Sequence, residues 1–118
     1  MLQIRQSQFG PLIRPQLQRF AEQLRGHLHQ HFPCRCAALG PEVTDATTLR
    51  VLERAWKLGF KTRRDATRLV NLAFRFGESL LDEPWATQVL EDESIGPSFR
   101  LMRLRLKALD RAEDADAP

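Results

Sequence analysis

Ten consecutive residues, HLHQHFPCRC from His27 to Cys36, contain all three histidines and both cysteines of the chain. Imidazole nitrogen and thiolate sulfur are the usual donors to zinc, and His27 and His31, four apart on a helix, share the face from which two imidazoles reach one ion. His29 points away from that face. The cysteines fit poorly: zinc pairs are separated by two or more residues, Cys34 and Cys36 by one, and Pro33 stands between them and the histidines. In the plainer reading His27 and His31 flank an apolar helix stripe while the cysteines occupy a loop. The spacing favours it, so no metal and no other cofactor is expected. A Cys34–Cys36 disulfide would close a very small, strained ring, which argues for reduced thiols.

Other catalytic arrangements are equally thin. A cysteine nucleophile needs a base converging from a separate element and a third group to orient it, and no such set is visible. The chain has no glycine-rich phosphate loop, and its densest carboxylate group, Glu91-Asp92-Glu93, reads as a solvated helix end. The expectation is a protein that is not an enzyme.

The elements that position these residues are helical. At 118 residues, of which 42% are hydrophobic and 28% charged, the chain suits one compact domain, and nearly every apolar run has three- and four-residue spacing. Residues 1–14 form an irregular or short helical lead-in broken by Pro11 and Pro15. A first helix follows, with Leu17, Phe20, Ala21, Leu24, Leu28 and Phe32 as its stripe, and Pro33 stops it. After a loop from Cys34 to Glu42, a second helix starts near Asp45 or Thr47 and turns Leu49, Leu52, Ala55 and Trp56 inward. Gly59 closes it in a left-handed conformation, and Phe60 folds back onto the last turn.

Thr62 caps the third helix, with Asp65 three residues on, and Ala66, Leu69, Val70, Ala73 and Phe74 form its stripe up to Gly77. A short fourth helix has Pro84 as first residue and Trp85, Val89 and Leu90 inward. Gly96 and Pro97 interrupt, Ser98 caps, and the last helix buries Phe99, Met102, Leu106 and Leu109, leaving Leu101 and Leu104 on flanking faces. Residues 110–118 form an acidic, frayed tail. The fold class is all-α, a single compact bundle of about five short helices over residues 1–118.

Charge narrows the partners. The 18 Lys and Arg exceed the 15 Asp and Glu by three. Residues 110–118 hold four of those acids and one Arg, so the preceding body carries 17 basic and 11 acidic side chains. Most of the basic groups are arginines, which suit planar carboxylate or phosphate contacts. No stretch is long and apolar enough to span a bilayer, and MLQIRQSQFG lacks the apolar core of a signal peptide, so a cytoplasmic protein with no membrane partner is expected.

Lys61, Arg63, Arg64 and Arg68 follow a glycine-bearing turn, as in helix-turn-helix DNA binders, and Ala55, Leu58, Gly59 and Phe60 fit that pattern. Arg54, Asp65 and Arg68 stand where it wants apolar packing, which argues against nucleic acid. More weight falls on the many aromatic and apolar side chains for so small a bundle: Trp56, Phe60, Phe74, Phe76, Trp85, Phe99 and the extra leucines of the last helix. An apolar patch rimmed by arginine is the usual makeup of a protein-binding surface. Phe76, Trp85, Arg100, Arg103 and Leu104 are the candidates for that face.

Taken in order, a helix ending in His31-Phe32-Pro33, a turn Leu58-Gly59-Phe60, the run T-x-x-D-A-x-x-L-V-x-L-A-F-x-F-G from Thr62 to Gly77, and P-W-A-x-x-V-L from Pro84 to Leu90 resemble the small helical accessory proteins encoded in type VI secretion clusters. The resemblance covers residues 15–109; Pro11 and Pro15 depart from the family's uninterrupted first helix. It implies a cytoplasmic, non-enzymatic co-chaperone or adaptor that binds a secretion effector, or the effector's chaperone, before loading onto the spike. It brings no metal ligands or catalytic residues, and no small-molecule substrate. An immunity protein that neutralises a cognate effector and a helix-turn-helix DNA-binding regulator are the alternatives.

Overall fold

A computed structural model describes the backbone of residues 9–116 and the side chains of residues 13–112. Six α-helices and one 3-10 turn account for it: α1 (Phe9–His31), α2 (Pro33–Leu39), α3 (Pro41–Lys57), α4 (Arg63–Phe76), the 3-10 turn Glu78–Asp82, α5 (Pro84–Leu90) and α6 (Pro97–Asp116). The all-α expectation holds, with six helices in place of about five. The extra one is α2. Where a loop was expected from Cys34 to Glu42, Pro33 and Pro41 each open a helix, because a proline in the first turn loses only an N–H that would have no intrahelical partner. Gly40, at φ 83°, is the single residue between α2 and α3; its N–H bonds to Cys36 O while its carbonyl accepts from Thr44 N. A residue with a Cβ would be strained there.

Two boundaries move for related reasons. Helix α1 runs unbroken through Pro15 rather than starting after it. An interior proline costs about 3 kcal/mol, and the burial of Ile13 and Leu17 on either side offsets it. The lead-in expected over residues 1–14 is therefore helical from residue 9, and residues 1–8 lie outside the described part. At the other end α6 continues to Asp116, where a frayed tail was expected from residue 110; its last two residues lie outside the description.

Helix α3 packs against α1 on one side and α4 on the other, α2 closes the α1/α3 end, and α6 lies against α4 and α5. The stripes expected for α1 and α4 form the core: Leu17, Ala21, Leu24 and Leu28 meet Val51, Leu52 and Ala55 of α3 and Ala66, Leu69, Val70, Ala73 and Phe74 of α4. The α3–α4 turn closes as its residue types require. Gly59 has φ 93°, its N–H bonds to Trp56 O, and Phe60 N reaches back to Ala55 O at 2.8 Å, with the Phe60 ring buried. Thr62 then caps α4 by accepting from Asp65 N.

Arginines tie neighbouring elements together. Arg25 chelates Asp45 and Arg14 meets Glu53 between α1 and α3, while Arg50 chelates Glu78 and Arg54 pairs with Asp82 between α3 and the 3-10 turn. The molecule is thin, with extents of 57 × 36 × 19 Å.

Candidate partner-binding groove

Helix α6 carries two apolar stripes at the same spacing. Leu101, Leu104 and Ala108 form one, Phe99, Met102 and Leu106 the other, each at three- and four-residue intervals. The structure buries the first, with Leu104 0% exposed, and leaves the second in solvent: Phe99 is 64%, Met102 49% and Leu106 56% exposed. This reverses the orientation expected from sequence, which placed Phe99, Met102 and Leu106 inward. The helix also begins at Pro97, so Ser98 is not its cap; the Ser98 hydroxyl donates to Asp65 Oδ1 of α4 at 3.2 Å.

Arg100 decides between the two orientations. Its guanidinium lies inside, donating from Nη1 to Leu90 O at 2.8 Å and, more weakly, to Leu58 O at 3.4 Å, with its carbon 5.0 Å from the centre of the Phe60 ring. Leu90 is the last residue of α5 and Leu58 caps α3. One cation thus serves two helix C-termini, where exposed carbonyls and the helix dipoles favour positive charge. With Arg100 anchored there, Leu104, one turn on, must also face inward.

The exposed stripe borders a groove of about 860 Å³ between α4 and α6, closed at one end by the last turn of α1. Helix α4 contributes Arg64, Arg68, Asn71, Leu72 and Arg75, a single face at steps of four, three, one and three. Helix α6 contributes Phe99, Leu101, Met102 and Arg105. From α1 come His27 and His31, whose rings stack tilted at 4.5 Å, and beyond them Phe32, whose ring lies 6.0 Å from that of Phe74. His27 Nε2 donates to Asn71 Oδ1 at 2.9 Å and fixes the α1 end on α4. The lining holds four guanidinium groups and no carboxylate; one of them, on Arg68, lies 4.0 Å from the buried Asp65.

The five residues expected on the binding face do not gather there. Leu104 is core and Arg100 is an internal cation, so neither can present itself to a partner, because the first is packed and the second is engaged by carbonyls. Phe76 and Trp85 are half-buried against the core: Arg75 sits over the Phe76 ring at 5.2 Å, and Trp85 donates to Glu83 with Arg111 over its ring at 4.4 Å. Arg103 is exposed. The groove residues that sequence reasoning missed, Phe99 and Met102 above all, had been assigned to the core.

The basic cluster after the turn also divides. Arg64 and Arg68 enter the groove, while Arg63 lies over Phe20 and Lys61 over Trp56 on another side. The histidine and cysteine set comes apart too. Residues two apart on a helix point to nearly opposite sides, so α2 turns Cys36 into the core and leaves Cys34 exposed, whereas His27 and His31 face the groove. Burial pushes the Cys36 thiol above its ordinary value, with the Thr44 side chain pulling the other way. Among the described residues no group of three or more His, Cys, Asp or Glu side chains converges as a metal site.

No model of a known protein family, no curated protein and no solved structure matches this chain. The groove's own chemistry therefore carries the functional argument.

Proposed function

We propose that this chain is a protein-binding accessory factor, acting by association rather than by catalysis, and that the groove between α4 and α6 is where its partner docks. The observation that carries this reading is the outward Phe99, Met102 and Leu106 stripe beside a lining of arginines. Three large apolar side chains held in water on a helix that has already buried another stripe are kept at a cost to solubility, and their burial by a partner contributes about 1–2 kcal/mol each, since they are already half covered. Arginine at the rim sets register and speeds encounter. Among the described residues no helix is long and apolar enough to cross a membrane.

The resemblance to accessory proteins of type VI secretion clusters supplies the identity of the partner in this proposal: an effector, or its dedicated chaperone, met in the cytoplasm before loading. The test is co-expression of the tagged chain with the products of its neighbouring genes. An effector or chaperone should co-elute at a fixed ratio, and Met102→Glu should abolish that while thermal stability is kept. Co-elution of a toxin domain with loss of its toxicity identifies an immunity protein instead. Binding to random duplex DNA that weakens steeply with salt, and no protein capture, defeats the proposal.

A further inference from the structure

The arrangement of charge says what kind of segment fits the groove. We infer that it seats an acidic amphipathic helix, with apolar residues at i, i+3 and i+7 set against Phe99, Met102 and Leu106 and with Asp or Glu on its flanks facing Arg64, Arg68, Arg75 and Arg105. This rests on the groove reading above and names the chemistry of its occupant.

Three lines support it. The carboxylates Asp45, Glu53, Glu78 and Asp82 are each held by an arginine outside the groove, whereas of the four arginines lining the groove only Arg68 has an acid within ion-pair distance among the described residues, the buried Asp65 at 4.0 Å. Complementary charge for Arg64, Arg75 and Arg105 comes from outside. The chain's own acidic end is badly placed to provide it: α6 is continuous to Asp116, so at about 1.5 Å per residue Glu113 to Asp116 lie roughly 17–21 Å beyond Met102 along the axis. Shape points to a helix, because both walls of the groove are helices and the described residues contain no strand edge that could pair with an extended peptide. Phe99 to Leu106 spans about 10 Å, two turns of a partner. The apolar lining mixes Leu72, Leu101 and Met102 with Phe32 and Phe99, and because aromatics also stack on the bases of single-stranded nucleic acid, an oligonucleotide stands among the controls below.

The probe is a fluorescein-labelled synthetic 18-residue peptide with leucine at i, i+3, i+7 and i+10 and glutamate on both flanks, titrated by anisotropy with the full chain. Three controls accompany it: the same composition scrambled, the same pattern with lysine for glutamate, and a 15-nucleotide oligothymidylate. The acidic helix should bind at least tenfold more tightly than each control. Met102→Glu should weaken it at least tenfold, and the pair Arg64→Glu with Arg105→Glu should invert the preference so that the lysine peptide binds better. That inversion cannot come from misfolding.

Equal binding of the scrambled peptide, tighter binding of the oligothymidylate, or binding indifferent to Met102→Glu overturns the inference. So does a dimer in solution that Met102→Glu dissociates, since a second copy then fills the groove, or preferential binding to vesicles of mixed anionic and zwitterionic phospholipid. Loss of partner capture by Met102→Glu without any peptide binding sinks the acidic helix but leaves the groove as the docking site. Peptide binding without capture of an effector or chaperone sinks the secretion assignment instead.

Discussion

Replacing Arg100 separates a structural cation from a surface one. Its short hydrogen bond to Leu90 O is charge-assisted and contributes about 1.5–3 kcal/mol, and the guanidinium over Phe60 adds about 0.5–2 kcal/mol in a desolvated setting. The contact to Leu58 O at 3.4 Å adds little. Against these stands Arg100 Nε, which is buried with no hydrogen-bond partner, at a cost of about 1–3 kcal/mol. These terms leave a net loss of about 1.5 kcal/mol for Arg100→Ala, and the lost packing of its stem raises that to about 2–3 kcal/mol. For a domain of this size that is a fall in melting temperature of roughly 8–12 °C. Arg100→Met should lose less, about 1–2 kcal/mol, because the stem still packs and the unpartnered Nε is gone while the α5 carbonyl remains without its donor. Urea and thermal unfolding followed by circular dichroism measure both. If Arg100→Ala changes stability by less than about 0.5 kcal/mol and instead weakens partner binding, the guanidinium lies in solvent and the sense of α6 deduced from it is wrong.

The two stripes of α6 should differ in the same assay: Leu104→Ala costs about 2–5 kcal/mol, whereas Phe99→Ser and Met102→Ser stay within about 0.5 kcal/mol of the parent, and comparable losses for both sets would contradict the orientation. Thiol titration with a chromogenic disulfide should find one reactive group per native chain, Cys34, and two in denaturant, because Cys36 is buried and its thiol is held protonated; two fast groups in the native protein would place α2 differently. Glu78 is kept below the ordinary carboxylate range by its paired hydrogen bonds from Arg50, with burial opposing. A carboxylate depressed in the folded state stabilises it at pH values above the unfolded pKa and ceases to do so as pH falls through the folded value. Glu78→Gln should accordingly cost about 0.2–1 kcal/mol near pH 7 and flatten the acid side of the stability profile, with no flattening counting against the bridge.

Much of the architecture was legible because a single stripe admits one orientation. In α1 Leu17, Ala21, Leu24 and Leu28, and in α4 Ala66, Leu69, Val70 and Ala73, recur on one face, and both helices pack on it. The closure at Gly59 and the cap at Thr62 were legible for a local reason: a left-handed glycine and an oxygen acceptor three residues before a free N–H act within one turn, whatever the rest of the chain does. Prolines were harder. Pro33 reads as a stop and Pro41 falls in the stretch read as a loop, yet both are helix starts, because the same missing N–H forbids a helix interior and suits a first turn. Thr44, Thr47 and Thr48 do not show in a search for apolar side chains, although all three are buried and Thr48 satisfies its hydroxyl on Thr44 O.

The site itself was illegible for a reason that bears on function. A helix with two apolar stripes offers periodicity no means of choosing which one is buried, since both repeat at three and four residues. The choice is made by contacts distant in sequence: Leu90 O and Leu58 O draw Arg100 inward, and Leu101, Leu104 and Ala108 go with it. Phe99, Met102 and Leu106 are then turned out beside Arg64 and Arg68, residues more than 30 positions earlier in the chain, and only that juxtaposition creates an apolar groove with a basic rim. The cation that orients α6 thereby also exposes the stripe proposed to meet a partner. A substitution at Arg100 that left the bundle folded but rotated α6 would bury Phe99 and Met102 and erase the groove, coupling stability to partner affinity through a residue that touches no partner.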